Sequence, residues 1–161
     1  MAVKAVPEGT HTITPHLVVN GASEALEFYK KAFGAQIGGV HKTPDGRVMH
    51  AEFKIGDSKL MLADEFPGMG MGSPKTLGGS AVVLNLYMDG IDKVFEQAVS
   101  AGATVTMPLA NQFWGDRYGQ LKDPFGHTWA LGQHVEDVAP EEMERRAREM
   151  FAKMPKPGEQ K

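Results

Sequence analysis

The 161-residue chain contains no cysteine, so disulfides and thiolate chemistry are excluded at once. No run of about 18 apolar residues occurs that could read as a membrane-spanning helix. The opening "MAVKAVPEGTHTI" lacks the apolar core of a signal peptide. A basic excess is missing too: 17 Lys and Arg stand against 20 Asp and Glu, for a formal net charge of -3. No Lys/Arg cluster exceeds a local pair, so the electrostatic footprint of a nucleic-acid-binding surface is absent. There is no His-Glu-x-x-His pattern and no serine in a nucleophile elbow. These absences predict a cytoplasmic globular protein that partners neither nucleic acid nor membrane, with chain enough for one domain and a substantial core.

What is present is a repeat. "HLVVNGASEALEFYKKAFGAQI" from His16 matches "NLYMDGIDKVFEQAVSAGATV" from Asn85. Leu17 aligns with Leu86, Gly21 with Gly90 and Glu27 with Glu96; removing one helical residue brings Gly34 onto Gly102. Each copy reads as a short apolar strand, a polar-Gly turn, an amphipathic helix and a glycine stop. Ala25, Leu26, Tyr29, Ala32 and Phe33 share one helical face, as do Ile91, Val94, Phe95, Ala98 and Val99. Three extended stretches follow each helix: Gln36–His41, Arg47–Ile55 and Lys59–Asp64, then Thr104–Leu109, Trp114–Lys122 and His127–Gln133. The pattern is βαβββ twice, an α+β class.

The spacing divides the chain into an arm over 1–11, a domain over 12–135 and a helix with tail over 136–161. Within the domain, module one covers 12–65, a loop 66–79 and module two 80–135. The loop "FPGMGMGSPKTLGG" is no phosphate cradle, because no strand runs straight into Gly-x-Gly-x-x-Gly and no helix follows it. A mobile loop is expected, one able to cover a cleft. The last segment places Pro140 near N1, Glu141 and Glu142 in the first turn, and Met143, Ala147, Met150, Phe151 and Met154 on one stripe. A docking helix is expected there, followed by a frayed "PKPGEQK" tail.

Paired βαβββ modules carrying "HLVVNGASEALEFYKKAFGA", "MHAEFKIGD" and "WGDRYGQLKDPFGHTWAL" resemble the vicinal-oxygen-chelate superfamily: glyoxalase I, bleomycin-resistance proteins and extradiol dioxygenases. The likeness is greatest to its PhnB-like branch. The duplication and the Asp-Pro-x-Gly corner after "WGDRYG" carry the resemblance. It implies eight principal strands in two concave, incomplete barrels, and a homodimer with the last helix at or near the interface or wrapping the domain edge.

Strand parity separates the face that a helix must cover from the open one. Ile13, Leu17 and Val19 take the covered face of the first strand, leaving Thr14, His16 and Val18 open. Met49, Ala51, Phe53 and Ile55 are covered, leaving His50, Glu52 and Lys54; Leu60 and Leu62 are covered, Met61 and Ala63 open. In module two, Val82, Leu84, Leu86 and Met88 are covered, leaving Val83, Asn85 and Tyr87. Leu121, Trp129 and Leu131 are covered, leaving Trp114, Asp116, Tyr118, Gln120, Thr128 and Ala130.

Metal-dependent members of the resembled family carry a His or Glu on the first and last strand of each module. Those positions fall on Thr14, Met61, Val83 and Ala130, which the internal repeat pairs at one constant offset. None bears an imidazole or carboxylate, so no metal ligand is assigned and no cofactor is expected. The alternative is an irregular divalent-ion site from His16, His50 and Glu52, or proton transfer by these residues as tentative catalytic groups. His127 reads as a turn hydrogen-bonder, while His41 and His134 read as solvated strand ends and His11 as part of the arm.

Trp114 and Tyr118 provide flat walls with Asp116 between them. With Gln120, Asn85, Tyr87 and Thr14 they form the expected ligand-binding set, the usual make-up of a small-molecule pocket. Two functions follow from the sequence. One is a metal-free protein, like the bleomycin-resistance proteins, holding a planar or aromatic molecule. The other is a lyase, isomerase or dioxygenase-like enzyme working through His16, His50 and Glu52.

Overall fold

The computed structural model describes residues 3–154. The elements run β1 (His16–Val19), α1 (Ala22–Phe33), β2 (Gln36–Lys42), β3 (Val48–Ile55), β4 (Ser58–Asp64), α2 (Pro74–Leu77), β5 (Val83–Tyr87), α3 (Ile91–Ala101), β6 (Thr104–Asn111), β7 (Asp116–Lys122), β8 (Thr128–His134) and α4 (Pro140–Ala152). Two four-stranded sheets have the orders β1-β4-β3-β2 and β5-β8-β7-β6. In each the first strand lies parallel to the last, and the remaining pairings are antiparallel. This is the α+β architecture of two βαβββ modules, with both sheets open. Among the described residues no helix is long and apolar enough to cross a membrane.

Each helix is set on its sheet by the same device. Gly21 and Gly90 precede α1 and α3 in left-handed conformation and offer no capping side chain, so the orphan N–H groups need other acceptors. Asp64, at the end of β4, accepts from the N–H of Gly21 (3.0 Å) and of Ala22 (2.8 Å). Gln133, at the matching place on β8, accepts from Ile91 N–H at 3.1 Å.

The two helices pack on one another between the sheets. Tyr29 of α1 stacks on Phe53 of β3, centroids 5.2 Å apart, and lies 5.4 Å from Trp129 of β8. One core therefore serves both covered faces, and the two open faces turn away from each other. The modules are clasped by Asp123 of the Asp-Pro-Phe-Gly corner, which is 4% exposed. Its carboxylate accepts from Tyr29 Oη–H (2.8 Å), Trp129 Nε1–H (2.9 Å) and the N–H groups of Phe125 and His127 (both 2.9 Å). The His127 ring reaches across to the Val18 carbonyl at 3.2 Å.

Several expected assignments change. β1 begins at His16, because Pro15 has no N–H to give the ladder; Ile13 is 85% exposed rather than covered. Val82 likewise precedes β5 and is 63% exposed. On β3 the buried residue is Val48 and Met49 is exposed, because the register slips between the His41–His50 and Lys42–Val48 pairs and reverses parity there. On α3, Val99 is exposed. The 66–79 connection contains the helical turn α2, capped by Ser73, whose side chain accepts from Thr76 N–H. Pro74 sits against the corner, where a Cβ on Gly126 would come within 2.8 Å of it. The C-terminal helix forms with Pro140 in its first turn but buries no residue completely. Met150, Phe151 and Met154 are exposed, while Phe151 meets Phe113 edge-on at 6.5 Å. The tail "PKPGEQK" lies outside the described residues.

Candidate functional site

On the second sheet β8 lies between β5 and β7, and its open-face residues at the middle are small. Ala130 stands between Asn85 and Gln120; Gly132 stands between Tyr87 and Tyr118; His134 lies beside Asp116. Strands spaced about 4.8 Å apart put side chains from β5 and β7 about 10 Å from each other. The result is a trough walled by an amide pair across Ala130 and a tyrosine pair across Gly132, with both small residues buried beneath those side chains. Tyr87 leans over Gly132, so that a Cβ there would lie 3.1 Å from its ring.

The tyrosine end is organised by Asp116, which is 6% exposed. Its Oδ2 accepts from Tyr87 Oη–H at 2.7 Å and from Trp114 Nε1–H at 3.0 Å, and its Oδ1 pairs with His134 Nδ1 at 2.8 Å. Burial pushes the Asp116 carboxyl up, but the bonds from His134, Tyr87 and Trp114 outweigh it and hold the group below its ordinary value. The bond to Asp116 in turn raises the Tyr87 hydroxyl. His134 Nε2 faces Asp137 at 2.9 Å. Hydrogen bonds to Asp137 and then Asp116 raise the imidazole above its ordinary value.

Trp114 reaches this cluster from a turn. Gln112 N–H donates to the Asp116 carbonyl, Gly115 N–H donates to Gln112, and β7 starts only at Asp116. The expected strand over Trp114 and Gly115 is therefore absent, because Gly115 has φ 96° and turns the chain. The indole still lands beside Tyr118, centroids 5.5 Å apart. Gln120 Nε2–H donates to Tyr118 Oη at 3.0 Å.

The structure thus brings Trp114, Asp116, Tyr118, Gln120, Asn85 and Tyr87 onto one face. Thr14 is not with them: it precedes β1, and its hydroxyl donates to the His11 carbonyl. His16, His50 and Glu52 gather on the open face of the other sheet. The His16 and His50 rings lie 6.0 Å apart, and His50 Nε2 is 4.0 Å from Glu52 Oε1. Lys59 pairs with Glu52 at 2.9 Å and lowers its carboxyl. Burial, then His50, lowers the His16 imidazole.

His134, Asp137 and Gly132 are the residues that the sequence reading missed. Parity could have found two of them, since 130, 132 and 134 share a face. Among the described residues no three His, Asp or Glu side chains form a group able to hold a metal ion. Ala130 lies between two carboxamides, Val83 beside Thr128, and Met61 between His16 and Glu52; the side chains at these family ligand positions do not fit a hard cation.

The family model of the glyoxalase/bleomycin resistance protein/dioxygenase superfamily matches residues 10–131. An uncharacterized protein of Mycobacterium bovis is 43% identical over 147 residues, 89% of this chain and 94% of its own length. Among solved structures, an Arabidopsis thaliana gene product aligns with a TM-score of 0.63 at 28% identity, over 75% of this chain and 97% of that one. The PhnB protein from Bacillus cereus, at 23% identity, aligns with a TM-score of 0.59 over 76% and 99%, a likeness of fold alone.

Proposed function

The chain belongs to the glyoxalase/bleomycin resistance protein/dioxygenase superfamily, and from that premise we propose a binding protein that holds a planar or aromatic small molecule in the second-sheet trough without a resident metal. The observation that carries this is Asp116. One buried carboxylate fixes Tyr87, Trp114 and His134 on one face of the sheet. Walls locked by hydrogen bonds lose little freedom when a ligand arrives, and aromatic faces with a few polar groups suit a flat molecule. The metal-free part rests on the donor set, since Thr14, Met61, Val83 and Ala130 offer no imidazole or carboxylate.

The open faces turn away from each other, so one chain supplies only one wall of each cleft. Tyr87 is 59% exposed and Val83 43%, an aromatic and apolar surface that needs cover. We read the working form as a homodimer in which a second copy faces the trough. Light scattering at tens of micromolar should give twice the 17.5 kDa chain mass; a monomer mass there counts against it.

The chain has two tryptophans. Trp129 is 2% exposed in the core, so Trp114 is the reporter. Its fluorescence should respond in a titration with aromatic metabolites and antibiotics, unchanged after exhaustive chelation. Trp114→Ala should weaken binding by about 1–3 kcal/mol, the worth of an aromatic stack. Loss of binding with the chelator, or stoichiometric zinc, nickel or iron held through His16 and Glu52, overturns the metal-free reading. A second reading is favoured by the His16–His50–Glu52 patch, where the two imidazole rings lie 6.0 Å apart and Glu52 stands 4.0 Å from His50: imidazoles grouped on an open face are the proton-transfer groups that a lyase or isomerase reaction uses. Elemental analysis and assays with and without divalent ions separate the two.

A further inference from the structure

The amide end of the trough carries information about the ligand that the aromatic end does not. Asn85 and Gln120 flank Ala130 at one level of the sheet. Ala130 is fully buried between them, so a flat molecule at this level rests on the two carboxamides and not on the alanine. Gln120 Nε2–H donates to Tyr118 Oη. That fixes the roles of the remaining atoms: Gln120 Oε1 is left as an acceptor, and the Tyr118 hydroxyl proton is left to donate. Acceptor and donor sit side by side on β7, two residues apart on one face. Asn85, exposed on β5, offers one more of each. No ionised side chain stands in this row. Lys122 lies one level away beside Thr128, and Asp116 at the other end is committed to His134, Tyr87 and Trp114.

Resting on the trough reading above, we propose that the site selects neutral, planar ligands with a lactam edge, a ring N–H next to a ring carbonyl. The ring N–H donates to Gln120 Oε1 and the carbonyl accepts from the Tyr118 hydroxyl, with the ring lying toward Asn85. A ligand that fills the trough but lacks the N–H leaves Gln120 Oε1 desolvated and unpaired, the condition that makes hydrogen-bonding sites discriminate strongly.

Three probes of nearly equal shape test this on the full-length protein by calorimetry and Trp114 fluorescence: isoquinolin-1(2H)-one, its N-methyl derivative and isoquinoline. The lactam should bind roughly tenfold or more tighter than the other two. Gln120→Ala should weaken the lactam by a larger factor than its N-methyl derivative, which has no N–H to lose, whereas Tyr118→Phe should weaken both, because both keep the carbonyl; circular dichroism checks that both variants are folded. Equal binding of all three probes, with Trp114 still responding, overturns the lactam preference and leaves the trough standing. No response from any probe counts against both. Isoquinoline-1-carboxylate serves as a fourth, anionic probe and should bind more weakly than the lactam; if it binds tightest, the proposal is overturned and the selectivity passes to Lys122.

Discussion

The two modules are the same βαβββ unit put to different uses. Gly21 and Gly90 open their helices, and Asp64 and Gln133 close the same hydrogen bond from the same strand position. Their open faces diverge: histidines and the Glu52–Lys59 ion pair on the first, tyrosines, amides and the buried Asp116 on the second. Their β-turns diverge as well. The turn between β3 and β4 is exposed, and Asp57 there accepts from its neighbour Ser58. The corner between β7 and β8 is longer and sends Asp123 into the core to receive Tyr29 from the other module. A duplicated unit keeps what holds a helix to its sheet; the differences fall on the faces and corners that the duplication left unpaired.

Removing the Asp123 carboxylate is the strongest way to break the comparison. Asp123→Ala strands four buried donors, and about 3–5 kcal/mol of stability should be lost. Asp57→Ala should cost about 0.5 kcal/mol or less. Urea denaturation measures both, and comparable losses from the two would show that the corner is no clasp.

Gly46 and Gly115 occupy matching turns, with φ 89° and 96°. A Cβ on Gly46 meets nothing within 4 Å, whereas one on Gly115 would lie 2.1 Å from the Glu136 carbonyl oxygen. Gly46→Ala should therefore cost about 1 kcal/mol from the left-handed backbone alone. Gly115→Ala should cost about 2–4 kcal/mol, since overpacking adds to the strain. It should also loosen the Val135–Glu136 segment, whose N–H groups both donate to the Gly115 carbonyl. Equal thermal shifts for the two variants would remove the distinction between the turns.

Alternation along the strands was enough to read Leu17, Val19, Phe53, Leu62, Leu121, Trp129 and Leu131 into the core, where they are buried. It failed at Ile13 and Val82, just outside strand ends, and at Met49, where the register slips. Both depend on a partner strand that a single sequence does not specify. The same limit applies to the site. Parity set Trp114, Asp116, Tyr118 and Gln120 on one side, but the pairing of Asp116 with His134 requires the β7–β8 register. That the two open faces turn outward follows from how α1 packs on α3, which neither helix's own pattern encodes.

The smallest effect concerns one histidine from each sheet, and the two should titrate in opposite directions. His134 is held by Asp137 and Asp116, which raise it above its ordinary 6.5; the charged groups and hydroxyl around it are those two carboxylates and Tyr87. His16 is lowered by burial and by His50. For His134 the folded state binds the proton more tightly, so its contribution is complete below about 6.5 and fades as the pH rises through the raised value. For His16 the folded state prefers the neutral ring, so its contribution is present above about 6.5 and is lost as the pH falls through the lowered value. With 56% of the His134 side chain exposed, solvent and salt screen its interaction, and the stability change should be slight. The resonances are the better readout. In a proton NMR titration of the imidazoles, His134 should move above and His16 below the values of His134 and His16 in the unfolded chain. Asp116→Asn should bring His134 down and leave His16 in place, while His50→Gln should bring His16 up and leave His134 in place. If one substitution moved both residues, the two open faces would be electrostatically coupled and the separation argued from the helix packing would fail.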